Sequence, residues 1–290
     1  MKKLLILLTS IFIFSCDTNE EYEDLNRDPN NPTQVSSASL FTSATKSLFD
    51  QMESTNVNTN IFRLFSQYWT ETTYIDESNY DLVTRNIPLN HWSEMYRDVL
   101  FDLKDAKTLA TTENQKAMIS VLEVYTWQQL VDTFGDIPYT EALIGSADPT
   151  PAYDDDAAIY ADLLTRINAA IAQFTAANVD DYTGADLIYG GDLNQWKKFA
   201  NSVKFKLAMR MADANSATAS TAVQQAVTAG IFTSNNDNAV LGYLSSTPNT
   251  NPLWVDLVQS GRSDFVVANT IVDYMNTLND PRREFILMII

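Results

Sequence analysis

Histidine and cysteine are nearly absent from this 290-residue chain, which has one of each, His91 and Cys16. A single cysteine forbids an internal disulfide. A single histidine rules out a His-rich zinc site and obliges any Ser-His-Asp arrangement to use His91. That residue stands at the start of a helix and reads as a plain polar end residue with no catalytic role. Basic residues are scarce as well: 19 Lys and Arg stand against 37 Asp and Glu, a formal net charge of −18. The basic footprint of a general nucleic-acid binder is therefore missing. The 8 glycines form no phosphate cradle, because Tyr189-Gly190-Gly191-Asp192 is too short and too acidic for a P-loop or a dinucleotide fingerprint. Long apolar runs are lacking too. Leu4 to Phe14 is far short of the roughly 20 residues that a membrane-spanning helix needs, and no second apolar segment approaches that length.

The short run accounts for the cysteine. Met1-Lys2-Lys3 is a positive lead-in, Leu4 to Phe14 an apolar core and Ser15 a small residue at a cleavage point, so residues 1–15 read as a secretory signal. Ile13-Phe14-Ser15-Cys16 resembles a bacterial lipobox, which makes Cys16 the expected lipidation site and the membrane anchor. Residues 16–34 are then a lipidated cysteine and an acidic tether that ends in Asp-Pro and Asn-Pro turns. Residues 35–290 read as one domain.

That domain is organised around Thr183 to Asp213. Asp192 with Gln195 reads as a capping box, and Trp196, Phe199, Val203, Leu207 and Met211 form one apolar stripe at helical spacing. Five cations, Lys197, Lys198, Lys204, Lys206 and Arg210, flank the stripe and are expected to pair locally. Further helices are predicted near residues 36–52 (Phe41, Ala44, Leu48, Met52), 56–68 (Ile61, Leu64, Phe65, Tyr68 inward), 91–106 (Trp92, Met95, Tyr96, Val99, Leu103, Ala106), 114–134, 156–174, 217–229 and 265–278. Gly135 followed by Pro138 ends the fourth of these. Residues 70–88 and 230–262 lose the helical period and read as irregular segments. The fold class is mostly α: a helical bundle or solenoid of paired helices, without a clean 34-residue repeat. Asp154-Asp155-Asp156 and Ser234 to Asn238 offer oxygen ligands, but neither has the spaced, glycine-centred loop of an EF-hand. Helix capping and an Asn-rich turn are expected there, structural calcium is unsupported, and no cofactor is expected.

Four stretches together carry a family resemblance: Glu23 to Asn26 with Asp28 to Thr33; Asp132 to Ala142 (DTFGDIPYTEA); Tyr189 to Asp192 with Trp196 and Phe199 to Ser202; and Asp280-Pro281-Arg282. In that order the chain resembles the SusD/RagB-like nutrient-binding lipoproteins. The resemblance implies tetratricopeptide-like helix pairs beneath an irregular ligand-binding region. It implies a lipid anchor at the outer membrane facing the cell exterior, and capture of an oligosaccharide or a peptide. A SusC-type TonB-dependent transporter is the implied partner. Family members usually continue well beyond the Asp-Pro-Arg segment, so the chain is expected to be a C-terminally truncated copy.

Sugar capture needs flat aromatic faces and a few amides on loops held by a rigid scaffold. Outside the helical stripes the first irregular segment supplies Trp69, Tyr74, Asn79 and Tyr80, and the second supplies Trp254; these are the candidate ligand-binding residues. Trp92, Trp127 and Trp196 are expected in the core. Two other functions compete. A glycoside hydrolase needs a spaced carboxylate pair, and nothing in the sequence selects one. A helical scaffold for protein or peptide binding would show a groove between helices. The expectation is a binding protein and not an enzyme.

Overall fold

The apolar spacing dictates most of the helices. The structure is a computed structural model that describes residues 35–56, 60–175 and 182–286. Cys16, the signal segment 1–15 and the tether 17–34 lie outside the described residues. Ser37–Ile290 forms a unit by itself. Helix α1 (Ser37–Glu53) buries Phe41, Ala44 and Leu48. Helix α2 (Ile87–Ser93) runs through a π-helical segment, Glu94–Leu100, into α3 (Phe101–Leu109). Met95, Val99, Leu103 and Ala106 are buried along that run. Helix α4 (Glu113–Phe134) is buried on several sides. It opens with a capping box between Thr112 and Gln115 and closes at Gly135, whose φ of 76° lies in the left-handed region that only glycine enters freely. Helices α5 (Asp156–Gln173), α6 (Leu193–Arg210) and α7 (Ser216–Ala229) are capped by Asp155, Asp192 and Asn215, each accepting from backbone N–H groups of the first turn.

Helices adjacent in sequence pack together: α1 on α3, α3 on α4, α4 on α5, α5 on α6 and α6 on α7, with α4 also touching α6. The core runs through all of them, from Phe41 and Leu48 to Trp127, Leu163, Trp196 and Leu207. Four of the five cations of α6 find partners on neighbouring elements. Lys198 meets Asp237 at 2.5 Å, Lys204 donates to Gln225 at 2.7 Å, Lys206 lies 5.1 Å from the Tyr125 ring centroid, and Arg210 meets Asp132 at 3.0 Å.

Three expectations need correction. Of the predicted helix over 56–68, the described residues keep only the turn Phe62–Phe65. Ile61 and Leu64 are buried there, whereas Phe65 and Tyr68 are exposed. The predicted helix over 265–278 is divided. Phe265–Val267 is strand β2, paired antiparallel with β1 (Trp69–Glu71), and only Asn269–Thr277 (α8) is helical. A β-branched run beside an aromatic joins a ladder when a partner strand is present, and here that partner lies far away in sequence. In α8 Met275 is buried while Tyr274 is exposed. Lastly, Asp192 caps α6 by accepting from Asn194 and Gln195, but the Gln195 amide turns away and donates to the Asn236 carbonyl at 3.1 Å.

The π-helical segment carries a pH prediction. Glu94 is half-buried within it; burial first, then the Asp98 carboxylate beside it, pushes its carboxyl up to about 7 against the opposing pull of Arg97, with Asp50 of α1 adding to the rise. A carboxyl raised in the folded state stabilises the fold below its ordinary value near 4.5, and that contribution is lost as pH climbs through about 7. Glu94→Gln should therefore flatten the decline in stability between these pH values by about 1 kcal/mol, after allowance for its partial exposure. Urea midpoints at pH 4.5 and 7.5 check it, and parallel slopes for the two proteins would sink the assignment.

Candidate functional site

The irregular segment between residues 66 and 86 is held against residues 262–268. The ribbon pairs Trp69 with Val267, Thr70 with Val266 and Glu71 with Phe265. Thr72 N–H donates to the Asp264 carbonyl at 2.8 Å, its hydroxyl to the Ser263 carbonyl at 2.9 Å, and Ala268 N–H to the Tyr68 carbonyl at 3.0 Å. Within the segment Glu71 and Ser78 bond reciprocally, N–H to hydroxyl and N–H to carboxylate, each at 3.0 Å. Four of the seven non-glycine residues with positive φ among the described residues sit here: Gln67, Tyr74, Tyr80 and Asn86. Each such conformation costs on the order of 1–3 kcal/mol and persists only where the surroundings impose it, a pattern that clusters at functional sites.

Under the turn lies a buried ionic knot. Glu77 is fully buried, and Arg85 Nε approaches its carboxylate at 3.1 Å while Arg85 also reaches Asp76 at 3.3 Å. Burial raises the Glu77 carboxyl above its usual range, and the Glu71 carboxyl beside it adds to the rise, against the opposing pull of Arg85. These two acids are enclosed beneath the turn. They hold it in shape and are not presented to a substrate.

The first four candidate residues lie in the segment held by the ribbon, and the fifth lies in a separate turn. Trp69 is half-buried in β1, its centroid 5.5 Å from that of Phe265 and 5.5 Å from the Arg63 guanidinium. Tyr74 is 66% exposed and lies 5.6 Å from the Arg85 guanidinium and 5.8 Å from that of Arg262. Tyr80, 59% exposed, leans on Phe65 at 5.1 Å. Asn79 is exposed, but its amide N–H donates to the Ile75 carbonyl at 2.9 Å, so it closes the turn before it can serve a ligand. Trp254, half-exposed, belongs to the turn Pro252–Trp254, and the π-helical turn that follows is tied to the end of α1 by Thr55 donating to Asp256 at 3.0 Å. Among the described residues no ring contact joins any two of Trp69, Tyr74, Tyr80 and Trp254. Glu71, Glu77 and Arg85, which fix the platform, were not singled out by the sequence; a buried acid in an irregular polar segment has no local signature.

Trp127 and Trp196 are core residues, as expected. Trp92 differs: it is only half-buried and lines a surface cavity of about 470 Å³. His91, expected at a helix end, is a buried residue whose Nδ1 accepts from the Gln51 amide at 2.6 Å. Asp136, Asp155 and Asp156 bring carboxylates within 4.8 Å of one another. Helix-start bonds account for them, since Asp136 accepts from Asp156 N–H at 3.0 Å and Asp155 caps α5.

The family model described as "Starch-binding associating with outer membrane" matches residues 29–289. The chain belongs to the SusD-like family. Solved structures agree on the fold of this SusD-like chain. A protein titled chitin-binding is 25% identical with a TM-score of 0.72, over 86% of this chain and 54% of its own. A chitin-binding SusD homolog from Flavobacterium johnsoniae is 23% identical with a TM-score of 0.69, over 84% and 53%. A SusD/RagB family protein from Bacteroides thetaiotaomicron is 23% identical with a TM-score of 0.72, over 86% and 53%. The SusD-like chain thus spans about half the length of the solved structures it matches. No curated protein matches it. Among the described residues no helix is long and apolar enough to cross a membrane.

Proposed function

We propose that this protein is a non-catalytic glycan-binding lipoprotein of the outer membrane, anchored through Cys16 and facing the cell exterior, that captures oligosaccharide and passes it to a SusC-type TonB-dependent transporter. The observation that carries the reading is the pair of exposed tyrosines, Tyr74 and Tyr80, each held in left-handed backbone on a turn locked to a distant strand. A rigid turn presents ring faces to a sugar without an ordering cost. Because two similar structures are titled chitin-binding, chitooligosaccharides are the first ligands to try. Native gels containing soluble chitin derivatives, starch or xylan, with a parallel assay for reducing sugar, test the reading. Retardation without sugar release is expected, and Tyr74→Ala or Tyr80→Ala should weaken it about tenfold, the worth of roughly 1.4 kcal/mol of ring contact. Release of reducing sugar would overturn the reading in favour of a hydrolase.

A second reading has its own support. Ile75 and Val83 of the same segment and Leu89 at the start of α2 are exposed, Val83 by 87%. Aliphatic side chains give a sugar little, and suit a polypeptide surface. Indifference to every glycan, with capture of an apolar peptide, would favour that reading.

A further inference from the structure

The cavity lined by Trp92 shares no residue with the turn that carries Tyr74 and Tyr80. Its volume of about 470 Å³ falls in the range of roughly 300–1,000 Å³ typical of small-molecule clefts. Its rings are Trp92, Tyr96 and Tyr153, and Pro138, Pro149 and Pro151 form its stiff walls. Trp92 stacks on Tyr96 with centroids 4.7 Å apart at 23°, which fixes its plane, and Tyr153 lies 6.3 Å from Trp92 at 30°, so three rings converge on the cavity. Phe134 supports Trp92 edge-on at 5.0 Å, while Tyr153 is 66% exposed.

Two features select the ligand class. The first is charge: no charged side chain lines the cavity, in a protein whose formal charge is −18. The second is the allocation of hydrogen bonds. The backbone flanking the wall residues is tied up: Ile137 and Asp154 bond each other at 3.3 and 2.9 Å, and the Asp154 carboxylate takes the N–H groups of Tyr139 at 3.0 Å and Thr140 at 2.9 Å. Ala152 N–H goes to Glu141 at 3.0 Å, and Tyr96 donates its hydroxyl to the Pro138 carbonyl at 2.6 Å. A strand adding along residues 137–140 finds these donors taken. The groove's own side chains offer the Trp92 indole N–H and the hydroxyls of Tyr153 and Thr150. Flat apolar faces edged by a few neutral polar groups match a neutral sugar ring, with its C–H face and its rim of hydroxyls.

We infer that the Trp92–Tyr96–Tyr153 groove is a second saccharide-binding site, for a neutral pyranose unit stacked on Tyr153 and Trp92. The inference rests on the reading of the protein as a glycan binder and adds a separate contact, which would raise avidity for a long chain that reaches both sites.

The test uses the full chain labelled with 5-fluorotryptophan, whose five tryptophans give separate fluorine signals assigned by single Trp→Phe substitutions. Chitohexaose, cellohexaose, maltohexaose and xylohexaose are titrated in turn. At least one is expected to shift the Trp92 signal. Tyr153→Ala should weaken the affinity read at Trp92 about fivefold and leave the response at Trp69 unchanged. Unmoved signals from the buried Trp127 and Trp196 show that this variant remains folded. A response at Trp69 with Trp92 silent would overturn the inference and leave the main reading standing. A response at Trp92 alone supports the groove and removes the support for the Tyr74–Tyr80 platform. Silence at both overturns both. A deca-proline peptide that moves Trp92 when no sugar does would also overturn the inference, and would mark the groove as a polypeptide site.

Discussion

Trp196→Ala should cost the fold about 3–5 kcal/mol, the range for removing a large aromatic from a packed core. Trp196 is fully buried, with centroids of Phe41, Tyr189 and Phe199 at 6.1, 5.6 and 5.8 Å. Its indole N–H donates to Asp186 at 2.7 Å, and the same carboxylate accepts from the backbone of Ile188 at 2.9 Å, Tyr189 at 3.2 Å and Gly191 at 2.8 Å. Truncation therefore opens a cavity and takes one donor from a buried carboxylate that organises the turn into α6. Trp196→Phe separates the two effects. It keeps most of the volume and should cost only about 1.5–3 kcal/mol, the worth of a hydrogen bond to a charged group. Urea unfolding followed by circular dichroism measures both. A loss below about 1 kcal/mol for the alanine variant would mean that the site relaxes and packing is not what Trp196 provides.

Arg85→Ala should have the next largest effect, about 3 kcal/mol, because it leaves the fully buried Glu77 without its cation. The loss should depend on pH. Glu77 already binds its proton more tightly than a free glutamate, and without Arg85 it must stay protonated to stay buried. Acidification should restore the variant towards wild type, and rising pH should weaken it further. Arg85→Ala combined with Glu77→Gln should recover most of the stability at neutral pH, as an amide carries no charge to strand. Failure of that rescue would show that Arg85 acts through Tyr74 or Asp76 instead. Ligand retention should follow stability in the single variant, since the same knot holds the turn that carries both tyrosines.

The scaffold was legible because its information is local. Helices α1, α4, α5, α6 and α7 each repeat apolar residues at helical spacing and start at a side chain able to cap them, and such signals need no knowledge of distant chain. The platform was legible only in composition: aromatics among polar residues without a period marked residues 70–88 as irregular. Its geometry was not, because β1 exists only through β2. The same dependence made Phe265 to Leu278 read as one helix, since Phe265, Val267 and Ile271 can be placed on a helical face when the partner strand is unknown. Trp92 was misjudged for a related reason. It continues the stripe of Met95 and Val99, but it sits where the helix emerges from the core, and the loop of residues 149–153 walls that position without covering it.

The two-stranded ribbon also orders events in time. A ribosome delivers Trp69, Tyr74 and Tyr80 long before it delivers Phe265 to Val267, while the helices between them can form and pair from contacts close in sequence. The scaffold from α1 to α7 is thus an earlier product of synthesis than the ribbon that holds Tyr74 and Tyr80. A nascent chain halted ahead of β2 would carry every helix from α1 to α7 and no assembled platform.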